Sequence, residues 1–225
     1  MSAEYPWQQS GKRKKKGGAE MRILGIDPGY ALMGYGIIDK NGSRFSVCDY
    51  GSISTDAGAP MPQRLKFLYS SLMDIIAEWQ PEEAAVEELF YNTNAKTVIN
   101  VGQARGVAVL ACVNSGLKIA EYTPLQIKQA LTGYGRAEKN QVQQMVKALL
   151  HLKKVPKPDD TADALAVAIC HGNSAGAASR MSAAVEKALY EEKRKKCAKT
   201  GAAEDKKKDG FRILRENEGL KDSHF

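Results

Sequence analysis

Three strand-like runs in succession, all within residues 22–57, constrain the fold more than any other feature of the chain. "RILGID", "GYGIID" and "RFSVCDYGSIS" are short, rich in apolar and β-branched side chains, and separated by glycine-bearing turns, one of them the hairpin signal "KNGS". After them the pattern alternates. Apolar residues Leu65, Leu68, Leu72 and Ile75 with Ile76 mark one face of a helix over roughly 61–79, ended by Pro81. "EEAAVEELF" then reads as a strand, "YNTNAK" as a loop, and roughly 95–115 as a long helix. "LKIAEYT" supplies a fifth strand, "PLQIKQAL" a short helix opened by proline, and "RAEKNQVQQMVKALLHL" a longer one. "PDDTADALAVAICHG" closes the domain as a helix stopped by Gly172. Three strands followed by alternating helix and strand imply an α/β fold, a five-stranded mixed sheet with helices on its faces.

Charge divides the chain differently. Of the net +7, residues 1–20 and 174–225 carry all the excess, while residues 21–173 hold fifteen charges of each sign. The expected organisation is therefore a basic, disordered extension over 1–20, a folded domain over 21–173 with Met21 resembling an internal start, and a charged, loosely ordered extension over 174–225. The Ala- and Lys-rich residues 180–196 within it form at most one amphipathic helix. Basic tails such as "GKRKKKGG" and "EEKRKKCAK" add salt-dependent attraction to nucleic acid, and they are equally a common solubility feature. No apolar run has the length of a membrane span and the first twenty residues lack the apolar stretch of a signal peptide, so the cytoplasm is the expected compartment. Cys48, Cys112, Cys170 and Cys197 are widely spaced, which excludes a zinc knuckle or disulfide framework.

Carboxylates stand out against this background. Asp27 ends the first strand and Glu87 the fourth, each emerging from an apolar run, and Asp160 and Asp163 lie three residues apart near the start of the last helix, on one side of it. Buried carboxylates are costly unless paired or metal-bound, and like charges gathered together raise one another's pKa. With no His/Cys set in competition, oxygen-only ligation points to Mg²⁺ or Mn²⁺. Two such ions at ~3.5–4 Å suit phosphodiester hydrolysis. Each residue also has a plainer role. Asp27 before Pro28 suits a turn; Glu87 and Glu88 compete for the inward position; Asp159 or Asp160 suits a helix cap, with Asp163 favourable in its first turn.

Taken together, "GIDPGYALMGYGIID", "AVEELFYNTNAK", "GQARGVA", "IKQALTGYGRAEKNQVQ" and "DDTADALAVAICH" resemble the RuvC family of Holliday junction resolvases, collinearly over residues 21–172. The resemblance implies an RNase H-like fold and a homodimer that binds four-way junction DNA and nicks strands of like polarity symmetrically. It also implies a partner, a branch-migration motor. It places the family's four acidic ligands, with two Mg²⁺ per site and Mn²⁺ as a substitute, on Asp27, Glu87, Asp160 and Asp163. Asp160 is the variant of a position that is histidine in some members, and Asp159 is an extra neighbour. Lys128 and Lys139 match basic residues used around the scissile DNA, and Phe90 an aromatic used at the opened junction centre, with Tyr91 as its assistant; solvated helix faces and a core ring are the alternative roles. Gly102 and Gly106, with Ala104 and Ala108, are expected to thin a helix for close packing near the dimer interface, while Gln103 and Arg105 offer DNA or partner contacts. The alternating alanines of "TADALAVA" imply close packing of the last helix on the sheet. Three other functions compete: an RNase H-like nuclease for another branched or RNA-containing substrate, an actin-like nucleotide binder, and a non-catalytic DNA-binding protein.

Overall fold

A computed structural model of the protein describes residues 21–88 and 95–174. The first three strands are β1 (Met21–Asp27), β2 (Leu32–Asn41) and β3 (Arg44–Ser54). They form an antiparallel meander, and Gly42 takes the positive φ of 58° that the tight β2–β3 turn requires. Helix α1 (Met61–Trp79) follows, closed by Gln80 in the left-handed region. Then come β4 (Glu83–Glu87), α2 (Ala95–Asn114), β5 (Lys118–Tyr122), α3 (Pro124–Thr132) and α4 (Lys139–Leu149). A last helix, α5, covers residues 159–174 of the described chain. The sheet order is β3-β2-β1-β4-β5, with β1, β4 and β5 parallel. This is the expected five-stranded mixed sheet.

Both faces of the sheet are covered, and strand alternation decides what goes where. Leu24, Ile26, Met33, Ile37, Ala84 and Val86 pack against α1 and α2, through Leu68, Leu72, Ile76, Ala104 and Ala108 among others. Ile23, Ile38 and Ala85 pack on the opposite face against α3, α4 and α5. Arg22 is buried at the start of β1, where its Nε and Nη2 donate to Asp39 at 2.7 and 2.9 Å and its Nη1 donates to the Trp79 carbonyl at 2.8 Å. Among the described residues no helix is long and apolar enough to cross a membrane.

One expectation needs correction. Gly172 does not stop the last helix, which continues through residue 174. A Cβ there would collide with the ring of Phe45, so the glycine serves packing rather than termination. Gly106 is exposed and its missing Cβ would meet nothing within the chain, while Ala104 and Ala108 on the other side of α2 are fully buried, so within one chain the alanines do the close packing. The extensions over 1–20 and 175–225 and the loop residues Phe90 and Tyr91 lie outside the described residues.

Candidate active site

Parallel pairing of β1 with β4 builds the first half of the site. The register Ile26↔Val86 sets Asp27 and Glu87 next to each other at the carboxyl ends of neighbouring strands, the place where open α/β sheets bind ligands. Alternation puts Asp27 on the same face as Ile23 and Gly25, and Glu87 on the same face as Ala85. Glu88, one residue on, is exposed, and its backbone N–H donates to the Tyr122 carbonyl at 2.9 Å. The inward carboxylate is therefore Glu87.

Helix α5 builds the second half, and glycine lets it approach. A Cβ at Gly34, the residue paired with Asp27, would collide with the Asp160 carbonyl; one at Gly25 would collide with the carbonyl of Ala164; one at Gly36 would lie 2.6 Å from Leu165 Cδ2. Three strand glycines thus cut a groove in β1 and β2 for the first turns of α5. The alanines of "TADALAVA" fit that groove, as their pattern predicts. The helix start brings Asp160 and Asp163 to Asp27, and a helix N-terminus is a favourable place for negative charge.

Burial is the first cause of the unusual electrostatics. It pushes Asp27 up to about 8, with further repulsion from Glu87, Asp163 and Asp160 against the opposing pull of Lys139. It pushes Glu87 up to about 7, Asp163 adding to the shift while Lys139 and Lys128 oppose it. Asp163 is also raised by burial, against its hydrogen bond with Lys139, whose Nζ lies 2.9 Å from Asp163 Oδ2. Asp159 behaves oppositely. Hydrogen bonds from Lys157 and then Gln143 hold it down at about 2, and its carboxylate meets Lys157 at 2.6 Å and Lys139 at 3.4 Å. Of the two adjacent aspartates, Asp160 acts on Asp27, while Asp159 acts on Asp163 and is itself bonded to Lys157.

Two clefts flank the cluster. One, of about 190 Å³, has Glu87, Asp163, Lys128 and Lys139 around an apolar wall of Ile127 and Val142. The other, of about 310 Å³, reaches Asp160 from the side of Tyr30, Leu32, Asn100 and Val101. Tyr30 belongs to the turn after Asp27, and this turn is braced. Arg64 stacks over the Tyr30 ring at 4.0 Å and donates from Nε to Thr55 Oγ1 at 2.9 Å; that hydroxyl in turn donates to the Tyr30 carbonyl at 2.9 Å. Arg105 is occupied by an ion pair with Glu121 on β5. Sequence reasoning singled out neither the glycine groove nor the Tyr30 brace, whose residues meet only in three dimensions.

Among the described residues, no three His, Cys, Asp or Glu side chains stand in a ready metal-holding arrangement. The fold gathers the four carboxylates, and repulsion opposes their closer approach. Their chemistry nonetheless fits a divalent cation: the donors are all oxygen, and burial with neighbouring carboxylates pushes Asp27 and Glu87 well above the usual carboxylate range.

Comparison with known proteins gives a consistent result. Residues 23–171 match the family model described as RuvC, crossover junction endodeoxyribonuclease. A protein of that name from Caldanaerobacter subterraneus is 62% identical over 154 residues, covering 68% of this chain and 93% of the relative. The structure of Thermus thermophilus RuvC superposes with a TM-score of 0.65 at 32% identity, covering 70% of this chain and 97% of the other. The same protein in complex with Holliday junction substrate gives a TM-score of 0.64 at 31% identity, covering 69% and 95%.

Proposed function

The chain belongs to the RuvC family of crossover junction endodeoxyribonucleases, and from that premise we propose how its acidic cleft resolves Holliday junctions. The observation that carries the reading is the gathering of Asp27, Glu87, Asp160 and Asp163 from two strand ends and one helix start, half-buried without a matching set of cations and bordered by Lys128 and Lys139. These four carboxylates would hold Mg²⁺, two ions per site, with Mn²⁺ as a substitute. Bound there, the ions supply Lewis-acid stabilisation of the attacking and departing oxygens of an in-line displacement.

The protein's own groups do the rest. Asp27 and Glu87, both pushed up toward neutrality by burial, would give up their protons on serving as ligands. Lys139, half exposed on the first turn of α4, and Lys128 on α3 reach into the cleft as the cations that meet the phosphate. Water adds to phosphorus on one side and the bond to the 3′ oxygen breaks on the other, leaving a 5′-phosphate and a 3′-hydroxyl. No side-chain nucleophile takes part. Phe90, with Tyr91 beside it, stacks on a base at the opened junction centre, a contact worth ~1–3 kcal/mol per base.

Paired symmetric nicks need two sites, and the homodimer is proposed through α2. Ile99, Leu110 and Val113 are 61%, 51% and 56% exposed and share a helical stripe with the open Gly106. A branch-migration motor as partner and the cytoplasm as compartment complete the proposal, the first supported by the family and the second by the DNA substrate. Strand-resolved cleavage of a four-way junction with a mobile core, in Mg²⁺ and in EDTA, tests the function. Paired, metal-dependent nicks at equivalent positions are expected. Tight binding without nicks, or equal cutting of simple duplex, would contradict the reading.

A further inference from the structure

Twelve ångströms or so from the acidic cluster, eight residues along α5 from Asp163 at 1.5 Å each, a second polar assembly is built into the apolar core. His171 is almost fully buried. Its Nδ1 lies 2.8 Å from the Tyr122 hydroxyl and its Nε2 lies 2.6 Å from Glu83 Oε2. A neutral ring satisfies both contacts, Nδ1 accepting from the tyrosine and Nε2–H donating to the carboxylate. The three residues come from α5, β5 and β4 respectively.

Their positions relate directly to the site. Glu83 and Glu87 are the two ends of β4 and share one face, about 13 Å apart along the strand. Helix α5 runs the opposite way, so that Asp163 stands by Glu87 and His171 by Glu83, with nearly the same separation. Tyr122 closes the frame: its backbone pairs with Glu87, its carbonyl accepts the Glu88 N–H, and its side chain reaches His171. On the β1–β2 side, the glycine groove fixes α5 by shape. On the β4–β5 side α5 meets Ala85 and other apolar groups, whose packing is non-directional. Directional hydrogen bonds there come from His171, and from Ser174, which bonds the same Tyr122 hydroxyl.

We infer that the Tyr122–His171–Glu83 relay is a positioning device for the nuclease site, holding α5 on β4 and β5 so that Asp160 and Asp163 stay in register with Asp27 and Glu87. This inference rests on the proposed metal-binding role of those four carboxylates. The relay touches neither substrate nor ion. Its effect is on how well the carboxylates converge on a cation, and the roughly 10- to 100-fold change in affinity from partners in direct contact with metal ligands sets the upper scale for a relay farther out.

The test is Mn²⁺ titration of the full chain, followed by paramagnetic resonance of the free ion, for the wild type and for Tyr122→Phe, Glu83→Gln and Asp27→Asn. Junction affinity in EDTA serves as the measure of an intact fold. Tyr122→Phe removes one hydroxyl and keeps the ring. It is expected to weaken Mn²⁺ binding about tenfold, the lower end for outer partners, and to slow nicking at sub-saturating metal with junction affinity unchanged. Glu83→Gln keeps an acceptor for Nε2–H and is expected to lie between it and the wild type. Wild-type Mn²⁺ affinity in Tyr122→Phe, with or without a lower melting temperature, would overturn the inference and leave the relay a stabilising contact. Asp27→Asn separates the two readings: unchanged Mn²⁺ binding in that variant would overturn the proposed metal site itself.

Discussion

β1 carries a buried charge at each end, and the two ends treat it in opposite ways. At its start Arg22 and Asp39 are each 2% exposed and matched one to one, the guanidinium spanning both carboxylate oxygens at 2.7 and 2.9 Å. At its end Asp27 shares its surroundings with three other carboxylates, and Lys139 is the cation that opposes its shift. The first end is a finished ion pair, a connection between β1, β2 and the end of α1. The second is an arrangement whose repulsion would be relieved by a ligand of opposite charge. The Arg22–Asp39 pair contributes to holding the fold, whereas the carboxylates at the other end outnumber the lysines beside them.

Substitution at the two ends should separate those roles most sharply. Asp27→Asn is expected to lower the nicking rate at least ~10³-fold, the scale of losing one preorganised electrostatic group, while junction affinity in EDTA stays near wild type. Asp39→Ala should do the reverse, costing about 3–5 kcal/mol of stability by stranding a buried guanidinium, read as a fall in denaturant midpoint, with the nicking rate per folded molecule kept. A stable Asp39→Ala or an active Asp27→Asn would break the contrast.

Gly34→Ala probes the groove between the two ends. Its added methyl collides with the Asp160 carbonyl, so a loss of about 1–3 kcal/mol is expected from overpacking, together with a drop in nicking larger than the unfolded fraction explains. Stability measured against pH gives the next effect. Asp27 and Glu87 titrate near 8 and 7 in the folded protein and near about 4 when unfolded. The folded state therefore holds the extra protons in between. Metal-free protein is most favoured by these groups below pH ~4 and loses that contribution as pH rises through about 7 to 8. Asp27→Asn should flatten the decline, and Mg²⁺ should reverse it by binding the deprotonated form. The smallest effect belongs to Gly106→Ala, which should stabilise the isolated helix by ~0.5–1 kcal/mol while weakening self-association if α2 meets its partner there; sedimentation velocity reads the second outcome.

Much of the fold was legible in the chain because β1 announces itself as a short apolar run; its terminal carboxylate alone suited a turn as well as a site, and gained weight from the other acids. The boundaries of β3 and α1 follow from alternation and from helical spacing, and both agree with the structure. Glu87 against Glu88 was undecided because β4 is buried on both faces, leaving no polar side to set the phase; the choice comes from pairing with β1. Asp159 against Asp160 was undecided because both share a helix side with Asp163, and the ion pair of Asp159 with Lys157 favours Asp160 as the ligand in the proposed site. Gly172 looked like a helix stop since its partner, Phe45, lies 127 residues earlier in the chain. Gly25, Gly34 and Gly36 looked like ordinary strand or turn residues for the same reason: a glycine that accommodates a distant helix carries no local mark. His171 and Tyr122 gave a faint signal, a polar ring in an apolar helix and another at a strand end, and only the packing of α5 joins them.

The measurement that addresses the central claim most directly is anomalous scattering from crystals grown with Mn²⁺. Density between Asp27, Glu87, Asp160 and Asp163, with Asp159 still turned toward Lys157, is the expected result. Manganese bound elsewhere, or a saturating soak that leaves these four carboxylates without a peak, would contradict it.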